Sequence, residues 1–171
     1  QRSIDADATL RAALGAPPSN FPATNLGRQL AMVARMIAGR DQLAVKRQVF
    51  FVSLGGFDHH DSLAAKHPGL LTQVADALAA FDAAMAAQGT SSQVTTFTGS
   101  DFGRTLSSNG DGSDHGWGGF QFVMGGAVQG KRFFGTAPLP GDDDTDDVGQ
   151  GRMQPTMAVD QLASTLATWM G

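Results

Sequence analysis

Residues 48–54 read Gln-Val-Phe-Phe-Val-Ser-Leu and run directly into Gly55-Gly56. A run that is apolar at nearly every position, rich in Val and Phe and stopped by glycines, predicts a buried strand of a parallel sheet covered on both faces. Residues 93–98 (Gln-Val-Thr-Thr-Phe-Thr) predict a second strand. Between the two, Leu71, Val74, Leu78, Phe81 and Met85 recur at helical spacing. They predict a helix to about residue 88, with Pro68 in its first turn and Gly89 as its stop. Strand, loop, helix and strand make a βαβ unit, whose polar loops leave the carboxyl ends of neighbouring strands, the edge where ligands bind in open α/β sheets.

The flanks fit the same class. Residues 1–23 hold Pro17, Pro18 and Pro22 and read as an irregular lead-in with a short helix over residues 6–14. Thr24 or Asn25 can cap a helix to residue 37, striped by Leu26, Leu30, Val33 and Ile37 and ended by Gly39. Residues 120–124 and 131–134 predict further short strands, and residues 159–170 a closing helix with Leu162, Leu166 and Met170 on one face. With no internal repeat and no evident boundary, residues 1–171 read as a single α/β domain.

Composition narrows the function. At 42% hydrophobic and 16% charged residues, the chain is globular rather than disordered. A net charge of −4 leaves no basic surplus for a phosphate backbone, so no nucleic-acid partner is expected. No uninterrupted apolar run approaches the roughly 20 residues of a membrane span. Cysteine is absent, which removes disulfides, thiol nucleophiles and Cys-ligated zinc. The chain begins with Gln1 rather than Met, so we expect an N-terminally truncated or processed protein, and composition does not set its oligomeric state.

Three polar loops at predicted strand ends carry the chemistry. The first is Gly55-Gly56-Phe57-Asp58-His59-His60-Asp61. There a carboxylate (Asp58) two residues before an imidazole (His60) can reach one divalent ion, zinc above all, with manganese or calcium as alternatives. The second is Ser100-Asp101-Phe102-Gly103-Arg104-Thr105. Asp101 offers another ligand and Arg104 a bidentate contact to an anionic substrate. The third, residues 111–119, places His115 in a glycine-rich loop whose ordering needs something to hold it. Each loop alone also reads blandly: a solvated loop, a capping turn, an Asp-Gly turn before a core-packing Trp117. Together they hold three of the four histidines. His59 is read as a supporting or surface residue and His67 as a capping or surface one. The run Asp142–Asp144, Thr145, Asp146, Asp147 lacks the glycine and terminal Glu of an EF-hand and reads as solvated rather than calcium-binding.

The segments FFVSLGGFDHHD, VTTFTGSDFGRT, SDHGWGG and GRMQPT, in this order, resemble the bacterial family called domain of unknown function 1501. That family is grouped with alkaline-phosphatase-like enzymes, including sulfatases and phosphomutases. The resemblance implies a three-layer, doubly wound, mostly parallel α/β sheet, of which this chain would be the C-terminal portion. It also implies a two-metal hydrolase of small phosphate or sulfate esters, with Asp58, His60 and His115 on one ion and Asp101 on the other. An alternative alignment uses Asp114-His115 as the Asp-His pair. The spacing D-x-H, Phe102 in place of a His, and Asp101 in place of a Glu depart from the pattern. No segment matches the nucleophile, and Ser100 and Thr105 are poor substitutes. A periplasmic or secreted location is implied by the resemblance alone. The rival expectation is a non-catalytic carbohydrate- or protein-binding module that keeps the fold and one structural metal.

Overall fold

The computed structural model describes residues 11–15, 18–139 and 146–171. They fall into two compact units, one of the described residues up to 56 together with 68–94, the other of residues 57–67 and the described residues from 95 onward.

The first unit is built on helix α1, Asn25–Ala38. Thr24 stands in extended backbone at its N-cap, and its Oγ1 accepts from Gly27 N–H at 3.1 Å, satisfying one of the orphan donors of the first turn. Gly39 closes it, its N–H reaching the carbonyl of Arg35. The stripe Leu26, Leu30, Val33 and Ile37 is buried, as its spacing predicts. Helix α2, Leu63–Ala87, contributes Ala77, Phe81 and Met85 to the same core, with Val74 and Leu78 packed beside them. α2 begins five residues before Pro68, so the proline lies inside the helix rather than in its first turn, at the cost of one backbone donor. Leu71, predicted on the core face, is 46% exposed. By length and composition alone α2 could also cross a membrane, a test that core helices of soluble proteins pass too. Of the predicted lead-in helix, residues 11–14 are helical; its earlier residues lie outside the described ones.

The segment of residues 48–54 is extended but joins no sheet among the described residues. Its side chains alternate. Phe50, Val52 and Leu54 pack on the core, while Val49 and Phe51 are 79% and 91% exposed. The side-chain amide of Gln29 takes the place of a strand neighbour at Ser53, accepting from its N–H at 3.0 Å and donating to its carbonyl at 2.9 Å.

The second unit corrects the predicted sheet. A three-layer, doubly wound, mostly parallel sheet is not what these residues form: both sheets among the described residues are two-stranded and antiparallel. β1, Thr96–Phe97, pairs with β4, Val123–Met124. β2, Gly103–Ser108, pairs with β3, Ser113–Gly116, with Gly103 opposite Gly116 and Arg104 opposite His115. Of the strands predicted over residues 93–98 and 120–124 only Thr96–Phe97 and Val123–Met124 form strand, and residues 131–134 form none. An apolar run states that both faces can be buried; it does not say which strand lies beside it, and here no crossover brings the run and β1 into one ladder. The β2–β3 hairpin was hidden by its glycines, which carry no periodicity. Its turn is nevertheless written in the sequence as Asn109-Gly110-Asp111-Gly112, a strong hairpin signal. Ser108 Oγ accepts from Gly110 N–H, and Asn109 Oδ1 accepts from Gly112 N–H, both at 3.1 Å.

Helix α3, Val159–Met170, matches its prediction, with Leu162, Leu166 and Met170 as its half-buried stripe. Asp147 accepts from the N–H groups of Gly149 and Gly151, and Asp146 from Leu139 N–H, so these two carboxylates serve the backbone; residues 142–145 lie outside the described ones.

The contrast between buried and exposed phenylalanines makes a prediction. Phe81, 3% exposed, should cost about 3–5 kcal/mol when replaced by Ala. Phe51→Ser, at a side chain open to solvent, should stay within about 0.5 kcal/mol. Urea denaturation of both variants measures the difference.

Candidate metal centre

The centre depends on the loop of residues 57–61 lying directly against the β2–β3 turn. Gly112 permits this: a Cβ there would stand 2.4 Å from the carbonyl carbon of His60 and 2.5 Å from the oxygen of His59. Only a residue without a side chain lets two backbones meet so closely. Ser113 N–H then donates to His59 O at 3.3 Å, and Leu63 N–H to Asp111 O at 3.0 Å. Arg104 closes the joint, donating from Nη1 to Ser113 O at 2.9 Å and from Nη2 to Phe57 O at 3.1 Å. Because Arg104 pairs with His115 across the hairpin, its guanidinium arrives beside that imidazole. Gly103 plays a similar part at the hairpin's other end, where a Cβ would overlap the carbonyl of Gly118.

Three donor atoms converge at this joint. Asp58 Oδ1 lies 2.8 Å from His115 Nε2 and 3.0 Å from His60 Nε2, and the two imidazole nitrogens are 3.3 Å apart. Donors bound at about 2.0–2.1 Å stand about 3.3 Å apart on a tetrahedral ion and about 2.9 Å apart on an octahedral one. The triangle therefore fits one face of either coordination shell. All three side chains are about half exposed, so an ion could reach them and keep open positions. The His115 contact, reinforced by Arg104 Nη2 at 3.1 Å and by His60, holds the Asp58 carboxyl below its ordinary range. Phe102 stacks on His115, ring centroids 4.0 Å apart and planes 10° apart, and walls one side of the imidazole.

His60 is held from its far side as well. Its Nδ1 lies 3.3 Å from Asp114 Oδ1, which also accepts from Asn109 Nδ2 at 3.0 Å. The Asn109 contact, with His60 adding to it, keeps the Asp114 carboxyl low. Thr105, buried on β2, accepts from the backbone N–H of Asp114 at 3.1 Å.

Of the predicted site residues, Asp58, His60 and His115 come together. Asp101 is exposed on a bend before β2 and is not in that group. Arg104 sits against Asp58, with both Nη2 hydrogens and one of Nη1 already engaged by protein oxygens. His59 is no surface residue: it is buried, its ring edge-on to His67 at 5.7 Å, and burial holds its pKa down, with His67 and Lys66 adding to the effect. His67 lies within α2, half-buried against Phe57, and is not a cap. Trp117 is 65% exposed and does not pack in a core. Sequence reasoning missed Asn109 and the stacking role of Phe102; the Asn-Gly turn was the available signal for the first.

The depressed Asp58 carboxyl gives a pH prediction. Its folded pKa lies below the ordinary 3.8, so its contribution to stability is present above that value and lost as pH falls through the folded pKa. In chelator, Asp58→Asn should be less stable than wild type near neutral pH, and the gap should close below about pH 3.8. Thermal melts across that range would show it; a gap that does not narrow in acid would refute it.

Searches of curated proteins and of solved structures returned no match. A family model described as protein of unknown function, DUF1501, matches residues 5–171, nearly the whole sequence, and the chain belongs to that family.

Proposed function

We propose that this chain carries the metal centre of a hydrolase acting on small phosphate or sulfate esters. The observation that supports it is the triangle of Asp58 Oδ1, His60 Nε2 and His115 Nε2, three donors of the types zinc accepts, at separations that suit one ion. A bound divalent ion would supply Lewis acidity and lower the pKa of a bound water. Manganese or calcium are the alternatives to zinc, given the mixed donor set.

The residues around the triangle have separate roles in this reading. Asp58 brings the negative charge that favours a cation, and Arg104 limits that charge and orients the carboxylate. Arg104 also brings positive charge close to where an anionic ester would bind, with one Nη1 hydrogen uncommitted to protein. Phe102 keeps water from one face of His115. Asp101, as ligand to a second ion, belongs to the two-ion form of the proposal, for which the resemblance of the motifs to those of alkaline-phosphatase-like enzymes is the motive. A periplasmic or secreted location rests on the family resemblance alone.

One observation favours a second reading, a non-catalytic binding module with a single structural ion. The two hydroxyls of the Ser100–Thr105 motif are not activated: Ser100 Oγ donates to Phe102 O at 2.8 Å, and Thr105 Oγ1 to Ser107 O at 2.8 Å. Neither faces a base, as a nucleophile would require.

Metal content of the purified chain, measured by mass spectrometry before and after chelation, tests both readings. About one equivalent of ion is expected from the three-ligand site, and His60→Ala or His115→Ala should each release it. Metal content unchanged in both variants would end the assignment. Turnover of an aryl phosphate or sulfate by the loaded protein would favour the hydrolase; an ion held without turnover would favour the module.

A further inference from the structure

We infer that Asp114, held in place by Asn109, is the positioning residue that sets the proton of His60 and turns its Nε2 toward the metal triangle. The inference rests on the metal reading above for its effect on affinity, but not for its effect on His60 itself.

The geometry gives His60 two carboxylate neighbours, one at each ring nitrogen. Asp58 Oδ1 is 3.0 Å from Nε2, and Asp114 Oδ1 is 3.3 Å from Nδ1. The two carboxylates are not equally in need of a proton. Asp58 Oδ1 already has His115 Nε2 at 2.8 Å and Arg104 Nη2 at 3.1 Å. Asp114 Oδ1 has one other donor, the amide of Asn109 at 3.0 Å. The His60 proton is therefore worth more at Nδ1, where it meets the less satisfied carboxylate, and Nε2 is left with its lone pair. Which ring nitrogen of a histidine is free to ligate is set by the hydrogen bond that the other one makes.

Asp114 is itself fixed from two directions. Its backbone N–H donates to the buried Thr105 Oγ1, and its side chain is anchored by Asn109. Asn109 in turn accepts from Gly112 N–H at 3.1 Å. The residue that shapes the turn thus also holds the carboxylate that orients the ligand. A shift of the turn would reach the metal triangle through Asn109, Asp114 and His60 in sequence.

The test has two arms on the full chain. In the metal-free wild type at about pH 8, where an ordinary imidazole is neutral, nitrogen-15 NMR should find the His60 proton on Nδ1. Asp114→Ala should remove that preference, with Asp114→Asn intermediate because its amide oxygen can still accept. In the second arm, zinc titration should show affinity about 10- to 100-fold weaker in Asp114→Ala than in wild type. A bare Nδ1 in the metal-free wild type overturns the inference, and so does an Asp114→Ala variant that binds zinc as tightly as wild type. If the wild type took up no zinc, the metal reading would fall, and the NMR arm would still decide the role of Asp114.

Discussion

A backbone-to-backbone contact between the Gly112 turn and the His59–His60 peptide holds the second unit's chemistry together. Nothing larger than hydrogen fits at Gly112. Remove that allowance and the loop of residues 57–61 must lift from the hairpin, taking Asp58 and His60 away from His115. Arg104 strengthens the same contact from the side, because its two terminal nitrogens bind a carbonyl of the loop and a carbonyl of β3. A planar fork with fixed donor directions suits such a joint better than a lysine would.

The joint explains the electrostatics of the site. Asp58 gathers two imidazoles and a guanidinium around one oxygen. Without an ion, some of those contacts must be hydrogen bonds, so the protons on His60 and His115 decide which are attractive. With an ion, the same three atoms need free lone pairs. A group that keeps the His60 proton on the far nitrogen leaves Nε2 ready for the ion, and Asp114 is the carboxylate placed to do so.

The first unit shows how far a small core reaches. α1 and α2 bury Leu30, Ala34, Ala77, Phe81 and Met85 almost completely, and the extended segment of residues 48–54 lays three side chains against them. Its other face remains in solvent, and Gln29 alone supplies the ladder contacts at Ser53. Helix identity there comes from short-range signals. The sheet expectation failed because strand pairing is a contact between distant segments, and an apolar run is compatible with several neighbours or with none.

Local signals in the sequence determined α1 with a cap at Thr24 or Asn25, most of the α2 stripe, the α3 stripe, and the residue types able to ligate a metal. Caps and stripes act within a turn or two of chain, so they can be read in order along it. Tertiary structure alone decided that β1 pairs with the distant β4 and that Asp101 stands apart from the triangle. It also decided that Asp114 backs His60 and that Phe102 covers His115. Those outcomes join residues well apart in the chain, up to fifty-four positions for His60 and Asp114. The meeting of His60 with Asp114 and His115 depends on the space left by one missing side chain at Gly112, a property of two backbones meeting rather than of either segment.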